Sequence, residues 1–249
     1  MASVPIYRFY AQLEDYKPAI WRRFEVLGNI SASRLAYIVM TLFEMKASHL
    51  FSIDVPAKDN FLLTMGEDVL KYPAIGKVAD EMDDRHLVLP DEDNEDDEVE
   101  ENAATVQLRH IVTEPKERLE LWYDFGDDWR VLLTLEEIYE DKELPGRELP
   151  RVLEGEGYGI IEDCGGPGGL MEVAKALAKK KGSKYEEFKQ WYELDDIDLK
   201  RFDLDDMNFR LKKVSRIYRD IYEEDLEPTQ RSMDILTRQY LKKKGWHPA

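Results

Sequence analysis

Residues 118–135 read RLELWYDFGDDWRVLLTL, and this stretch decides the fold class. Leu119, Leu121, Tyr123 and Phe125 run with the two-residue period of a strand up to Gly126-Asp127-Asp128, and Trp129, Val131, Leu133 and Leu135 run away with the same period. Two such runs around a polar, glycine-bearing tip predict a β-hairpin over 118–135, with Tyr123, Phe125 and Trp129 buried on the inner sheet face. Working outward, Tyr7, Phe9, Ala11 and Leu13 predict a strand over 4–14. Pro18 breaks it, and Ile20, Phe24 and Val26 predict a second, antiparallel strand. Ser31 stands as an N-cap before Leu35, Ile38, Val39 and Leu42, whose three- and four-residue spacings put one apolar stripe on a helix lying on the sheet. His49, Phe51, Ile53 and Val55 alternate again, Phe61–Met65 reads as a further short strand, and most of 66–103 reads as irregular.

Toward the C-terminus, residues 151–169, RVLEGEGYGIIEDCGGPGG, hold seven glycines in nineteen positions, which predicts a long loop entering a helix at LMEVAKALAKKKG. Ser183 with Glu186 forms a capping-box pattern before Phe188, Trp191 and Tyr192. Asp203 caps a helix over about 204–224, and Gly245 closes a last one near 230–244. Strands first and helices afterwards predict an α+β protein with a mostly antiparallel sheet, helices on one side and a helical C-terminal third. The expected division is an α+β core over 1–174, with an acidic loop at about 80–103, and a helical extension over 175–249 packed on or beside it.

Composition narrows the function classes. The 249 residues are 43% hydrophobic and 35% charged, too apolar for disorder and too polar for a membrane protein, and the longest apolar run, LAYIVMTLF, falls short of a bilayer span. The net charge of −18 repels phosphate backbones and argues against nonspecific nucleic-acid binding. Half of that charge sits in DEDNEDDEVEE at 91–101, which lacks the central glycine of a calcium loop and reads as a solvated excursion. Residues 1–174 carry −21 and residues 175–249 carry +3. The single cysteine, Cys164, excludes an internal disulfide and a multi-cysteine zinc site; with a first segment lacking the pattern of a secretory leader, it sets the expectation of a cytoplasmic protein with no membrane partner.

Three segments, AIWRRFEV at 19–26, WYDFGDDW at 122–129 and IEDCGGPGG at 161–169, together resemble the plasmid pRiA4b ORF-3-like family, which is also similar to passenger proteins of some insertion elements. Pro18, Trp21 and Arg22 match its PxIWRR signature, and His49 and Leu50 match the start of HLHxF. Tyr123, Asp124, Phe125, Gly126, Asp127 and Trp129 match YDFGDxW, Glu162, Asp163, Gly165 and Gly166 match PPEDxGG, and Phe202, Asp203 and Asn208 match a closing FDxxxxN. The resemblance implies a compact, roll-like α+β fold and an uncharacterised, mobile-element-associated family with no established activity. Two histidines frequent in the family are absent: Phe51 and Val131 stand at their positions, and Ile160 and Ile161 replace the prolines before Glu162.

The candidate cleft residues are Arg22, His49, Asp124, Asp127, Trp129, Glu162, Asp163 and Cys164. Asp124 and Asp127 flank a tight turn, where aspartate commonly accepts backbone hydrogen bonds, and Glu162 and Asp163 precede a helix, where carboxylates commonly cap. Carboxylates from two loops also suit a divalent cation, the one cofactor compatible with this pattern although none is required by it. Cys164 before a helix start suits a nucleophile only if a histidine serves as its base, and is more often a buried thiol. Gly165, Gly166, Gly168 and Gly169 suit an anion cradle but lack the lysine-serine or lysine-threonine pair of a phosphate loop. Three functions follow: a binding or accessory protein presenting the hairpin tip and glycine loop to a partner; a metal-dependent hydrolase using Asp124, Asp127, Glu162 and Asp163; and a nucleic-acid accessory protein binding through Lys179, Lys180, Lys181, Lys242, Lys243 and Lys244.

Overall fold

The computed structural model describes residues 4–90, 100–191 and 198–242, so His247, Gly245, Lys243, Lys244 and residues 91–99 of the acidic run lie outside the described residues. Among the described residues eight strands, β1 (Ile6–Leu13), β2 (Trp21–Leu27), β3 (Phe51–Val55), β4 (Arg85–Val88), β5 (Glu100–Asn102), β6 (Arg118–Tyr123), β7 (Trp129–Tyr139) and β8 (Arg151–Glu156), form one open sheet in the order β5-β4-β3-β6-β7-β1-β2-β8. All neighbours are antiparallel except β4 and β5. The protein is thus α+β.

The expected hairpins both form: β1 pairs with β2, and β6 with β7 in a register that sets Tyr123 opposite Trp129. On β1 the inward side chains Tyr7, Phe9, Ala11 and Leu13 are buried while Arg8, Tyr10 and Gln12 stay half-exposed, the alternation of a sheet covered on one face. The cover is α1 (Ala32–Leu42), in which only Arg34 escapes burial, together with α7 (Leu204–Tyr222). Along α7 the buried Met207, Leu211, Val214 and Tyr218 recur at spacings of four, three and four, one stripe of a helix. Ser31 caps α1 by accepting from the Arg34 amide, and Asp203 caps α7 by accepting from the Asp206 amide at 3.1 Å. Each fully buried side chain of this size is worth about 1.5–3 kcal/mol, so the α1–α7–sheet layer dominates stability.

Four expectations are corrected. Phe61–Met65 is not a strand but the second half of α2 (Ala57–Met65), anchored where the Asn60 amide pairs with both backbone groups of Arg118. The stretch 66–103 is not mostly irregular: it holds α3 (Asp68–Lys71), α4 (Pro73–Ala79), β4 and β5, and the last part of the acidic run is ordered because Arg85 grips both oxygens of Glu101, at 2.6 and 2.7 Å. The glycine-rich 151–169 begins not as a loop but as edge strand β8, and its last four residues open α5 (Gly166–Lys179). The helix expected near 230–244 is broken: α8 (Gln230–Leu236) ends before Arg238, which is in the left-handed region (φ 54°), and a short 3-10 helix spans Gln239–Lys242; α6 (Ser183–Trp191) precedes α7.

Arg22 explains one of those glycines. Its side chain points inward from β2, is fully buried, and donates five hydrogen bonds of 2.7–3.0 Å to the carbonyls of Trp21, Leu42, Glu156, Gly157 and Tyr158. The guanidinium lies 4.0 Å from the Phe202 ring centroid. A Cβ at Gly155 would meet Arg22 Cδ at 2.7 Å and the Trp21 carbonyl at 2.8 Å, so only glycine lets β8 close over this plug. Of the two adjacent arginines, Arg23 is the one that pairs with carboxylates, those of Glu136 and Glu154.

Candidate functional site

The β3–β6 pairing sets Phe51 opposite Tyr123. His49 is two residues before Phe51 and Asp124 one residue after Tyr123, so the antiparallel ladder delivers both to the same end of the sheet, and the Asp124 amide donates to the Leu50 carbonyl at 3.0 Å. The third element is the segment after β8, which passes beneath the end of α1. Ile160 N donates to the Phe43 carbonyl at 2.9 Å, and a Cβ at Gly159 would lie 2.4 Å from that same oxygen, so the approach requires glycine. This segment carries Glu162 to the sheet end.

There His49, Asp124 and Glu162 converge, one ligand atom from each lying within 4.8 Å of the others. His49 Nε2 is 3.6 Å from Asp124 Oδ2, 3.8 Å from Glu162 Oε2 and 3.6 Å from Asp163 Oδ1, so three carboxylates surround one ring nitrogen and none is close enough for a hydrogen bond. The Glu162 side chain is only 4% exposed. Its Oε1 accepts from the Lys46 amide at 2.6 Å and the Tyr123 hydroxyl at 2.9 Å, but its buried Oε2 has no hydrogen-bond partner. Burial raises the Glu162 carboxyl above the usual carboxylate range, outweighing the Lys46 amide, the Tyr123 hydroxyl and His49, which all pull it down. Tyr123 is itself held by the Ser48 amide at 3.1 Å, so the acceptor geometry of Glu162 is fixed from both sides.

The other acids divide. Asp124, in the left-handed region (φ 55°), uses Oδ1 for its turn, accepting from Gly126 N at 3.2 Å, and leaves Oδ2 toward His49. Asp127 does not reach the cluster: its Oδ2 accepts from Gly165 N at 3.1 Å and clamps the hairpin tip to the glycine loop. A Cβ at Gly166 would lie 2.2 Å from the Asp127 carbonyl, and one at Gly169 would lie 1.6 Å from the Cys164 carbonyl. Gly166 and Gly169 therefore serve close packing, and the Gly165 and Gly169 amides, two of the four in the expected anion cradle, are already spent on Asp127 and the Gly165 carbonyl. The helix-capping expectation for Glu162 is corrected too: α5 is capped by Gly165 with no side-chain bond, while Glu162 turns back to Tyr123.

Of the remaining candidates, Trp129 is fully buried core, Arg22 is the carbonyl-bonded plug, and the expected burial of Phe125 fails. At 56% exposure it sits in the turn beyond the end of β6, where strand alternation no longer governs direction. Cys164 is half-buried with Sγ 3.7 Å from the Gly166 carbonyl, and burial pushes its thiol up to about 12, the reverse of an activated nucleophile. Lys179, Lys180 and Lys181 are exposed at the far end of α5, roughly 20 Å along the helix from its start at Gly166. Two contributors escaped sequence reading: Tyr123, whose bulk hid the role of its hydroxyl, and the Lys46 amide, a backbone group.

Fold and site together define an open-sheet α+β protein with a histidine–carboxylate cluster at one sheet end. The chain belongs to the plasmid pRiA4b ORF-3-like protein family, which it matches over residues 5–208. It is 26% identical over 194 residues to the uncharacterized protein y4hQ of Sinorhizobium fredii (strain NBRC 101917 / NGR234), covering 78% of this chain and 84% of that one. It also shares the fold of a crystallised protein of unknown function, MM3350 from Methanosarcina mazei Go1, at a TM-score of 0.63 and 21% identity, over 82% of this chain and 98% of that one. No activity is established for these relatives. Among the described residues no helix is long and apolar enough to cross a membrane.

Proposed function

We propose that His49, Asp124 and Glu162 hold one divalent cation and that the protein is a metal-dependent hydrolase, with Asp163 as the carboxylate that takes a proton from the attacking water. The observation that carries this reading is Glu162: a buried carboxylate with one oxygen fully bonded and the other unpartnered and aimed at a histidine nitrogen and a second carboxylate. A buried anionic oxygen without a partner is costly, and a cation is the partner that the surrounding donor set suits. Ligands about 2.1 Å from one cation stand roughly 3.0–3.4 Å apart; the two histidine–carboxylate spacings of 3.6 and 3.8 Å need to close by a few tenths of an ångström, and all three ligand atoms lie within 4.8 Å of one another. One imidazole with two carboxylates favours Zn²⁺ or Mn²⁺ over Mg²⁺, which takes oxygen ligands and keeps several waters.

Bound there, the cation supplies Lewis acidity and lowers the pKa of a coordinated water. The side chain of Asp163 is 76% exposed, at the solvent edge of the cluster. In the hydrolysis the water oxygen bonds to the electrophilic centre, its proton passes to Asp163, and the bond to the leaving group breaks with that proton delivered to it. A cytoplasmic location fits a chain whose only cysteine is unpaired.

The test is hydrolysis of chromogenic carboxylic esters, anilides and phosphodiesters by chelator-treated protein resupplied with Zn²⁺ or Mn²⁺. Turnover should depend on the added metal and fall at least about hundredfold in His49→Ala and Asp124→Asn. In Asp163→Asn, kcat should fall while metal affinity is retained. Metal-independent turnover, or none with any of the three substrate classes, contradicts the hydrolase reading.

A further inference from the structure

The histidine of the cluster also forms the wall of a cavity. A groove of about 480 Å³ runs from His49 and Leu50 between α1, α7, β3 and β4, and is lined by Tyr37, Met40, Phe51, Val88, Leu89 and Phe125, with His86 and Glu100 farther along. Its volume lies within the range of small-molecule sites. Leu50 and Phe125 immediately follow His49 and Asp124 in the chain, and they stand 65% and 56% exposed. His49 and Asp124, both half-buried, are thus each followed by a large apolar side chain left in water on the groove rim.

Two of the polar groups along the groove are already engaged. The Tyr222 hydroxyl donates to the Ala47 carbonyl at 2.5 Å, and His86 Nδ1 is 2.5 Å from Asp54 Oδ1. Among the described residues no lysine or arginine lines the cavity, and Glu100 is the one carboxylate that does. A phosphodiester or a polyanionic chain would find no lysine or arginine among the described lining residues and would face the Glu100 carboxylate.

We propose that the groove receives the apolar acyl group of a carboxylic ester or amide whose carbonyl is presented at the His49–Asp124–Glu162 cluster; the assignment of a carbonyl to that cluster rests on the cation reading above. The apolar acyl chain covers Leu50 and Phe125, and its length rather than its charge sets specificity. The reaction is then acyl hydrolysis: water adds to the carbonyl carbon, the bond from that carbon to the alcohol oxygen or amine nitrogen breaks, and the products are a carboxylic acid and the protonated leaving group. No oxidant or second substrate is needed.

Two probes separate the groove from the cation. N-phenyl-1-naphthylamine, a neutral apolar fluorophore, reads the groove in chelator-treated protein; acetohydroxamic and octanohydroxamic acids, which chelate divalent metals with a short or a long apolar tail, read both together in the presence of Mn²⁺. The fluorophore should bind without metal and be displaced by octanohydroxamate. With Mn²⁺, octanohydroxamate should bind at least about tenfold more tightly than acetohydroxamate, since each buried methylene adds favourable transfer free energy. Leu50→Arg, a change at an exposed rim position outside the metal cluster, should abolish fluorophore binding and the tail-length advantage while leaving acetohydroxamate and Mn²⁺ binding unchanged.

Fluorophore binding that is absent, or unaffected by Leu50→Arg, overturns the groove assignment whatever the metal does. Tail-length dependence that is the same with and without Mn²⁺, in protein shown by calorimetry to bind Mn²⁺, overturns the link between groove and cluster but spares the cation reading. A calorimetric trace with no Mn²⁺ binding, alongside normal fluorophore binding, overturns the cation reading and with it the assignment of a carbonyl to the cluster.

Discussion

Replacing Arg22 by lysine tests whether the IWRR signature is a structural plug. The guanidinium makes five hydrogen bonds to five backbone carbonyls and is fully buried. Burial pulls its pKa down to about 10, with Glu44 opposing that shift, so it stays charged at neutral pH. A lysine ammonium has three donors from one point and no planar fork, so at least two carbonyls lose their partner. An orphaned buried acceptor costs about 1–3 kcal/mol, and the stacking on Phe202 at 4.0 Å is also lost, so Arg22→Lys should cost roughly 3–6 kcal/mol. Against a total stability of about 5–15 kcal/mol, that moves the urea midpoint far outside error. Equilibrium unfolding followed by tryptophan fluorescence gives the number. A midpoint shift worth less than about 1 kcal/mol would mean the carbonyls relax onto one another or onto water, and the case for a plug would fail.

Trp129→Ala, at a fully buried site facing Tyr123 across the hairpin, should lose about 3–5 kcal/mol in the same assay. Gly166→Ala places a Cβ 2.2 Å from the Asp127 carbonyl at φ 67°, so it should push the glycine loop off the hairpin tip and weaken Mn²⁺ binding more than it lowers the thermal midpoint. Glu44 is buried, which raises its carboxyl, but the Arg210 and Arg238 guanidiniums at 2.9 and 2.6 Å outweigh that and hold it below the usual range. A carboxyl depressed in the folded state contributes stability above its unfolded pKa of about 4.5 and loses it as pH falls through the folded value; stability should therefore drop below about pH 4.5, and Glu44→Gln should flatten that acid limb while destabilising the protein by about 3–5 kcal/mol at pH 7.

What the sequence made legible follows the length of each periodic run. β1, β7, α1 and α7 present four or more apolar positions at one period and β6 three, enough to separate strand from helix. β5 has three residues, and β4 and α3 four each, too few for any period to show. β8 was hidden by Gly155, which reads as a strand breaker until the buried Arg22 behind it is known. At the site, the residue types named the two loops, and the distance between Asp124 and Glu162 could not be read because it depends on the β3–β6 register and the path beneath α1. A carboxylate before a helix usually caps, so the sequence alone points Glu162 to the cap of α5; the buried Tyr123 hydroxyl and the Lys46 amide outcompete that use, and they come from 39 and 116 residues away.

Isothermal titration of Zn²⁺ and Mn²⁺ into chelator-treated wild-type protein and Glu162→Gln addresses the cluster most directly. Glutamine keeps the acceptor that bonds the Lys46 amide and the Tyr123 hydroxyl but removes the buried charge on the unpartnered oxygen. The account predicts one site per chain in the wild type, an affinity at least about hundredfold weaker in the variant, and a metal-free variant that melts at or above the wild-type temperature because an uncompensated buried charge is gone. Identical isotherms, or a variant that binds metal normally but loses stability, would contradict a cation at Glu162 and leave the carboxylate as a structural acceptor for Tyr123 alone.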